Sequence, residues 1–171
     1  MKRVYLLSGK PGSGKTTIIK EVLSRVGRSA GGFYTEEIRD RGVRQGFRII
    51  TLDGNDATLA HVSIPSPYRV SKYGVDVGNI NEVAVPSVRE AIHNRDVVVI
   101  DEIGKMELFS EAFKDAVLEA IESGKKVLGT IILASHPWAD GVKRRVEVEI
   151  IPVARDNQHE VIKRLMQWLE S

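Results

Sequence analysis

Gly9-Lys10-Pro11-Gly12-Ser13-Gly14-Lys15-Thr16 satisfies the spacing G-x-x-x-x-G-K-[ST] at every defined position. Each residue type in it suits the holding of a polyphosphate. Glycines allow a tight backbone turn, so that successive N–H groups point inward at phosphate oxygens. A helix beginning just after the loop adds the positive end of its dipole to that anion site. Lys15 has the reach for the β- and γ-phosphates, and the Thr16 hydroxyl is a hard oxygen ligand for Mg²⁺. The predicted nucleotide-binding set is therefore Gly9, Lys10, Pro11, Gly12, Ser13, Gly14, Lys15, Thr16 and Thr17.

A glycine-rich turn can match this pattern by chance, so its setting decides. Val4-Tyr5-Leu6-Leu7 before it is a short apolar run of the kind found in a buried parallel strand. After it, Ile18, Ile19, Val22, Leu23 and Val26 fall on one helical stripe from about Lys15 to Val26, with Gly27 as a stop. Strand, loop and helix follow in the order a phosphate loop requires.

Such a site needs an acidic residue at the end of another buried strand. Asp96-Val97-Val98-Val99-Ile100 reads as that strand, and it ends in Asp101-Glu102. Asp101 is expected to hold Mg²⁺ together with Thr16, and Glu102 to orient or deprotonate an attacking water as general base. Asp101 to Gly104 also fits D-x-x-G, but no [NT]-K-x-D guanine-reading motif occurs in the chain, which argues against a GTP-specific switch. Charge developing on a transferred phosphoryl group is often neutralised by a cation. Arg39, Arg44, Arg69, Lys105, Arg144 and Arg145 are the candidates, and Lys105 ranks first because it lies beside the acidic pair. Glu36 and Glu37 are candidates for the crevice wall, and Trp138 for stacking on a base. His61, His93, His136 and His159 show no metal-ligand spacing.

These groups must be positioned by the rest of the chain. Between about 32 and 73 the texture is strand-like: Phe33 to Thr35 and Phe47 to Leu52, with a turn at Asp40-Arg41-Gly42, then short candidates at 58–62 and 68–70. This reads as an antiparallel insert. A helix is expected over 81–93, started or kinked at Pro86, and another over 110–122 with Ser110 as N-cap and Gly124 closing it. Strands are expected at 126–133 and 145–151, then a final helix over 156–169 with Asp156 as N-cap. Strands alternating with helices give an α/β fold with a mainly parallel sheet, in one domain over 1–171.

Composition sets outer bounds. The chain has 171 residues, 42% apolar and 28% charged, enough for one sizeable core. A net charge of +2, with no basic helix or aromatic–basic patch, gives no reason to expect a nucleic acid partner. With no cysteine, disulfides, thiolate catalysis and cysteine-bound zinc are excluded. The apolar run at the N-terminus is too short for a secretory signal, and no stretch could span a bilayer. A cytoplasmic monomer is expected.

Three blocks together resemble one family. They are Ser8-Gly9-Lys10-Pro11-Gly12-Ser13-Gly14-Lys15-Thr16-Thr17, Gly32-Phe33-Tyr34-Thr35-Glu36-Glu37-Ile38-Arg39 running on to Gly46-Phe47, and Asp101-Glu102-Ile103-Gly104-Lys105-Met106-Glu107-Leu108-Phe109. The first is shared by many nucleotide-binding proteins; the others are more specific. The chain resembles the thermophilic-type P-loop nucleoside triphosphatases over nearly its whole length. That resemblance implies a RecA-like sheet with extra antiparallel strands. It also implies slow, Mg²⁺-dependent hydrolysis of several nucleoside triphosphates to diphosphate and phosphate, with weak base selectivity. Two other readings stay open at this point. In a nucleotide or small-molecule kinase, the acidic residue would activate an acceptor hydroxyl, with the insert as acceptor site. In a nucleotide-sensing module, slow hydrolysis would time a conformational state.

Overall fold

Alternation along the buried strands decides how the layers form. In β1 (Val4–Ser8), Val4 and Leu6 enter one core cluster while Tyr5 and Leu7 enter another, because successive side chains of a strand point to opposite faces. The same split occurs in β7 (Val97–Ile103), with Val98 and Ile100 on one face and Val97 and Val99 on the other. A strand buried on both faces needs a helical layer on each. The computed structural model, which describes residues 2–171, shows that three-layer arrangement.

One layer is made by α1 (Lys15–Arg25) and α6 (Gln158–Glu170), whose Ile18, Ile19, Val22, Val161, Leu165 and Trp168 pack on the Tyr5/Leu7 face. Trp168 stacks on Tyr5 with ring centroids 4.5 Å apart and donates its indole N–H to the Lys2 carbonyl. The other layer holds α3 (Val85–Asn94) and α4 (Glu111–Glu122), with Val88, Ala91, Phe113, Val117 and Ile121 against Leu6, Phe33, Val98 and Ile100.

The remaining strands are β2 (Ala30–Asp40), β3 (Val43–Thr51), β4 (Asp56–His61), β5 (Arg69–Val70), β6 (Tyr73–Val75), β8 (Lys126–Ile131) and β9 (Val148–Pro152). All nine strands form one sheet in the order β5-β6-β4-β3-β2-β7-β8-β1-β9. Neighbours from β2 to β9 in that order are parallel, and the rest are antiparallel. The expected α/β fold with a mainly parallel sheet and an antiparallel insert is therefore present. Strand β2 belongs to both parts. Its first residues, Ala30 to Phe33, pair with β7, while Phe33 to Asp40 pair with β3, so its outer half projects beyond the parallel core.

Three details differ from the sequence reading. The insert runs on to Val75, because β6 pairs with both β4 and β5. The helix expected over 81–93 begins earlier: α2 (Val77–Asn79) passes through a π-turn at Ile80–Ala84 into α3. Pro86 has no N–H to give, and the widened turn directly before it keeps the backbone helical. The segment between β8 and β9 contains a helix, α5 (Pro137–Lys143), so β9 starts at Val148 and not at 145. Pro137 stands in its first turn, a start signal that the surrounding Ser-His-Pro texture masks.

Among the described residues no helix is long and apolar enough to cross a membrane.

Candidate functional site

The phosphate loop connects β1 to α1 and takes its shape from close backbone contacts. A Cβ on Gly9 would lie 2.5 Å from the Val153 carbonyl oxygen, and Gly14 sits at φ +94°, where an L side chain is strained. The loop is pinned from the far end of the chain: Gln158, at the start of α6, donates from Nε2 to the Ser13 carbonyl at 2.8 Å. Lys15 Nζ donates to the carbonyls of Gly9 at 2.7 Å and Lys10 at 3.3 Å, which folds the ammonium over the loop. Ser13 Oγ is buried with no hydrogen-bond partner, an acceptor–donor group left facing the loop interior.

Strand β8 lies between β1 and β7, so the carboxyl ends of all three border one crevice. Thr16 Oγ1 donates to Asp101 Oδ2 at 2.6 Å. Thr130, fully buried on β8, donates from Oγ1 to Asp101 Oδ1 at 2.7 Å. Both carboxylate oxygens of Asp101 are thus fixed by hydroxyls on neighbouring elements. Asp101 is only 3% exposed, and burial raises its pKa above the ordinary carboxylate value despite those hydrogen bonds and the charges of Lys15 and Lys20. The Glu102 pKa is raised too, first by burial and then by the Asp101 charge, with Lys15 opposing. Tyr34 is raised by burial and by Asp101, and Lys20 Nζ lies 5.0 Å from the centre of its ring.

The crevice has a volume of about 700 Å³. Of the predicted nucleotide-binding residues, Gly9, Pro11, Gly12, Ser13, Gly14, Lys15, Thr16 and Thr17 line it, together with Asp101 and Glu102. Lys10 lines the adjoining cleft of about 750 Å³ on the other side of the loop, with Leu133, Ile150, Pro152 and Val153. The insert closes the crevice with Thr35, Glu36, Glu37, Arg44 and Phe47.

The candidate cations separate. Among the described residues Arg44 is the one arginine that lines the crevice, held by Nε to Tyr73 Oη at 2.8 Å and by Nη1 to Glu37 Oε1 at 3.3 Å. Lys105 lines a smaller cavity that shares Glu102 as part of its wall. Arg39 pairs with Glu37, Arg69 bonds the Ile64 and Lys72 carbonyls, and Arg145 pairs with Glu122 and Glu147. Arg144 follows α5 as its C-cap. Trp138 sits on α5 and packs against the core, a structural anchor. Asp156 is not the N-cap of the last helix: α6 starts at Gln158 with Asn157 in the cap position. The Asn157 side chain instead accepts from Ala154 N–H and donates to the Pro152 carbonyl, closing the turn after β9. Among the described residues no three histidine or carboxylate side chains are grouped to hold a metal.

Sequence reasoning missed Thr130, Gln158 and Glu107. A hydroxyl inside the otherwise apolar Lys126–Ile131 strand was the available signal for Thr130, and a carboxylate between Met106 and Leu108 the signal for Glu107. Gln158 gave none, since its role depends on where α6 docks.

Comparison with known proteins agrees with this geometry. A family model described as NTPase matches residues 4–166. A relative named nucleoside-triphosphatase THEP1 from Thermotoga sp. strain RQ2 is 44% identical, over 96% of this chain and 94% of its own. The crystal structure of THEP1 from the hyperthermophile Aquifex aeolicus superposes with a TM-score of 0.88 at 36% identity, covering 98% of this chain and 99% of that one. The solution structure of a human cancer-related nucleoside triphosphatase gives 0.82 at 35% identity, over 99% and 98% of the two chains. Matched by the family model and by relatives and structures of this kind over nearly its whole length, the chain belongs to the NTPase family and has the P-loop NTPase fold.

Proposed function

We propose that this protein hydrolyses nucleoside 5′-triphosphates to nucleoside diphosphate and phosphate, with Mg²⁺ as cofactor and little selectivity for the base. The observation that carries this reading is the Thr16–Asp101 hydrogen bond, which brings loop and acidic strand together with Glu102 on the same crevice wall.

Backbone N–H groups of Gly9 to Thr17 and the Lys15 ammonium hold the phosphates. Thr16 Oγ1 and Asp101 Oδ2 are hard oxygens converging at the loop, a donor set that suits Mg²⁺, which keeps waters and substrate phosphates as its other ligands. Mg²⁺ bound there would neutralise charge on the phosphates. Glu102 orients a water for in-line attack on the γ-phosphorus and takes its proton. The Coulomb field of Asp101 and the low-dielectric wall favour a carboxylate that accepts that proton. Arg44, held by Tyr73 and Glu37, supplies positive charge to the γ-phosphoryl group as it separates, the role that sequence position alone had offered first to Lys105.

The cleft beyond Lys10 supports weak base selectivity. Leu133, Ile150, Pro152 and Val153 offer apolar surface to any base, and its charged lining groups, Lys10, Lys143 and Arg155, are all cations. Among the described residues no carboxylate lines it to accept from guanine.

Phosphate release with Mg²⁺ from ATP, GTP, CTP and UTP, measured for the native protein, Lys15→Ala and Glu102→Gln, tests the reading. Release from several nucleotides that both substitutions abolish is the expected result. Nucleotide binding without release would overturn it.

A further inference from the structure

Hydrolysis needs room beside Glu102 for one water, about 10–15 Å³ of cavity. The structure provides far more. On the insert side of Glu102 a cavity of about 240 Å³ opens from the crevice, and the two share Thr35, Phe47, Glu102 and Ile132 as common walls. Its remaining lining includes the apolar side chains of Leu59 and Val70 from the insert and of Met106 from the segment after β7. Two further charged groups line it: Lys105, and Glu107, 4% exposed, from the short 3₁₀ segment Glu107–Phe109. The hydrolytic mechanism gives Glu107 no task. A mainly apolar recess with a few convergent polar groups, contiguous with a reacting centre, is the form of a small-molecule site.

We propose that this cavity is a second substrate site, taking a small alcohol with an apolar body whose hydroxyl replaces the attacking water. The inference rests on the reading of Glu102 as base and goes beyond hydrolysis. The alcohol's carbon chain lies against Phe47, Leu59, Val70 and Met106, and its hydroxyl faces Glu102 at the mouth shared with the crevice. Glu107 receives a second hydroxyl or an ammonium at the far end of the ligand. A bond forms between the alcohol oxygen and the γ-phosphorus while the β,γ-bridging P–O bond breaks. The bridging electron pair leaves on the β-phosphate oxygen, and the hydroxyl proton passes to Glu102. The products are a phosphate monoester and the nucleoside diphosphate.

The test follows label from γ-³²P-ATP and Mg²⁺ with the full-length chain in butan-1-ol, butane-1,4-diol or 4-aminobutan-1-ol. Methanol at the same concentration is the control, because it can stand in for water without a cavity. At least one four-carbon probe is expected to give a labelled ester about tenfold or more above methanol, since each methylene buried in an apolar pocket is worth about that factor. Val70→Phe fills the recess from the short outer strand β5 and Met106→Phe fills it from the segment after β7. Either is expected to remove the ester while leaving phosphate release from ATP alone unchanged. Label found only in inorganic phosphate with every probe, at normal hydrolysis, overturns the proposal. So does esterification of methanol as readily as of the longer alcohols, or ester formation that survives both fillings. Loss of phosphate and ester alike in the native protein would overturn the hydrolytic reading as well.

Discussion

Thr16 Oγ1 and Asp101 Oδ2 stand 2.6 Å apart across 85 residues of chain, and Thr130 holds the other Asp101 oxygen. The phosphate loop and the acidic strand end are thus joined into one unit. Thr16→Ala is expected to raise the Mg²⁺ concentration needed for half-maximal phosphate release at least tenfold, roughly the loss seen when metal-site groups are removed. Asp101→Asn is expected to exceed that. Because the two act together, the double variant should be little worse than Asp101→Asn alone, which a kinetic double-mutant cycle would measure.

Glu102 sets the pH response. Its pKa is raised above the ordinary value of 4.5, chiefly by burial, and the base must be ionised to accept a proton. Activity therefore rises with pH through that raised pKa, so the acid limb of kcat/KM lies above pH 4.5. Glu102→Gln should lower kcat by about 10²–10⁴-fold and remove the limb while nucleotide binding persists. A limb that survives in the Gln variant would assign it to another group.

Arg44 is expected to act on the rate and not on affinity. Arg44→Ala should cost about 10³-fold in kcat with KM little changed, and Arg44→Lys should recover only a small part, because a lysine cannot reproduce the planar fork. Lys105→Ala, changed in the neighbouring cavity, should leave kcat close to native. Steady-state kinetics on the three variants separates the two cations.

Glu107 is a stability element with an inverted sign. Burial and the charges of Glu102 and Asp101 raise its pKa well above 4.5. A carboxyl whose folded pKa is raised binds its proton more tightly in the native state than in the unfolded chain. Its contribution is most favourable below pH 4.5 and is lost as pH rises through the folded pKa. Glu107→Gln should therefore raise Tm at neutral pH, with the gain shrinking toward pH 4.5 in a thermal-melt series.

What the sequence made legible was local. Val4–Leu7, the glycine-rich loop and the stripe from Ile18 to Val26 are neighbours in the chain, and so are the Val97–Ile100 strand and its two acids, so spacing alone placed them. Thr130 became part of the site only through the register that sets β8 between β1 and β7. Arg44 emerged from five scattered rivals because β3 carries it on the projecting half of β2's hairpin, a matter of pairing and not of motif. Helix α5 was hidden by its Ser-His-Pro start, and the cap of α6 lies one residue later than expected, at Asn157, whose side chain closes the preceding turn.

The contact of Gln158 with Ser13 has a consequence for the end of the chain. Helix α6 leans on β1 through Trp168 and Tyr5 and reaches the loop through Gln158, while Lys126 Nζ and Arg28 Nε grip the carbonyls of its last turn. Fraying from Ser171 inward would slacken the turn that cradles phosphate, and a ligand seated in that turn would in return shield the C-terminal helix. Occupancy of the loop should thus be readable at a distance, as slower amide exchange at the far end of the 13-residue helix that Gln158 begins.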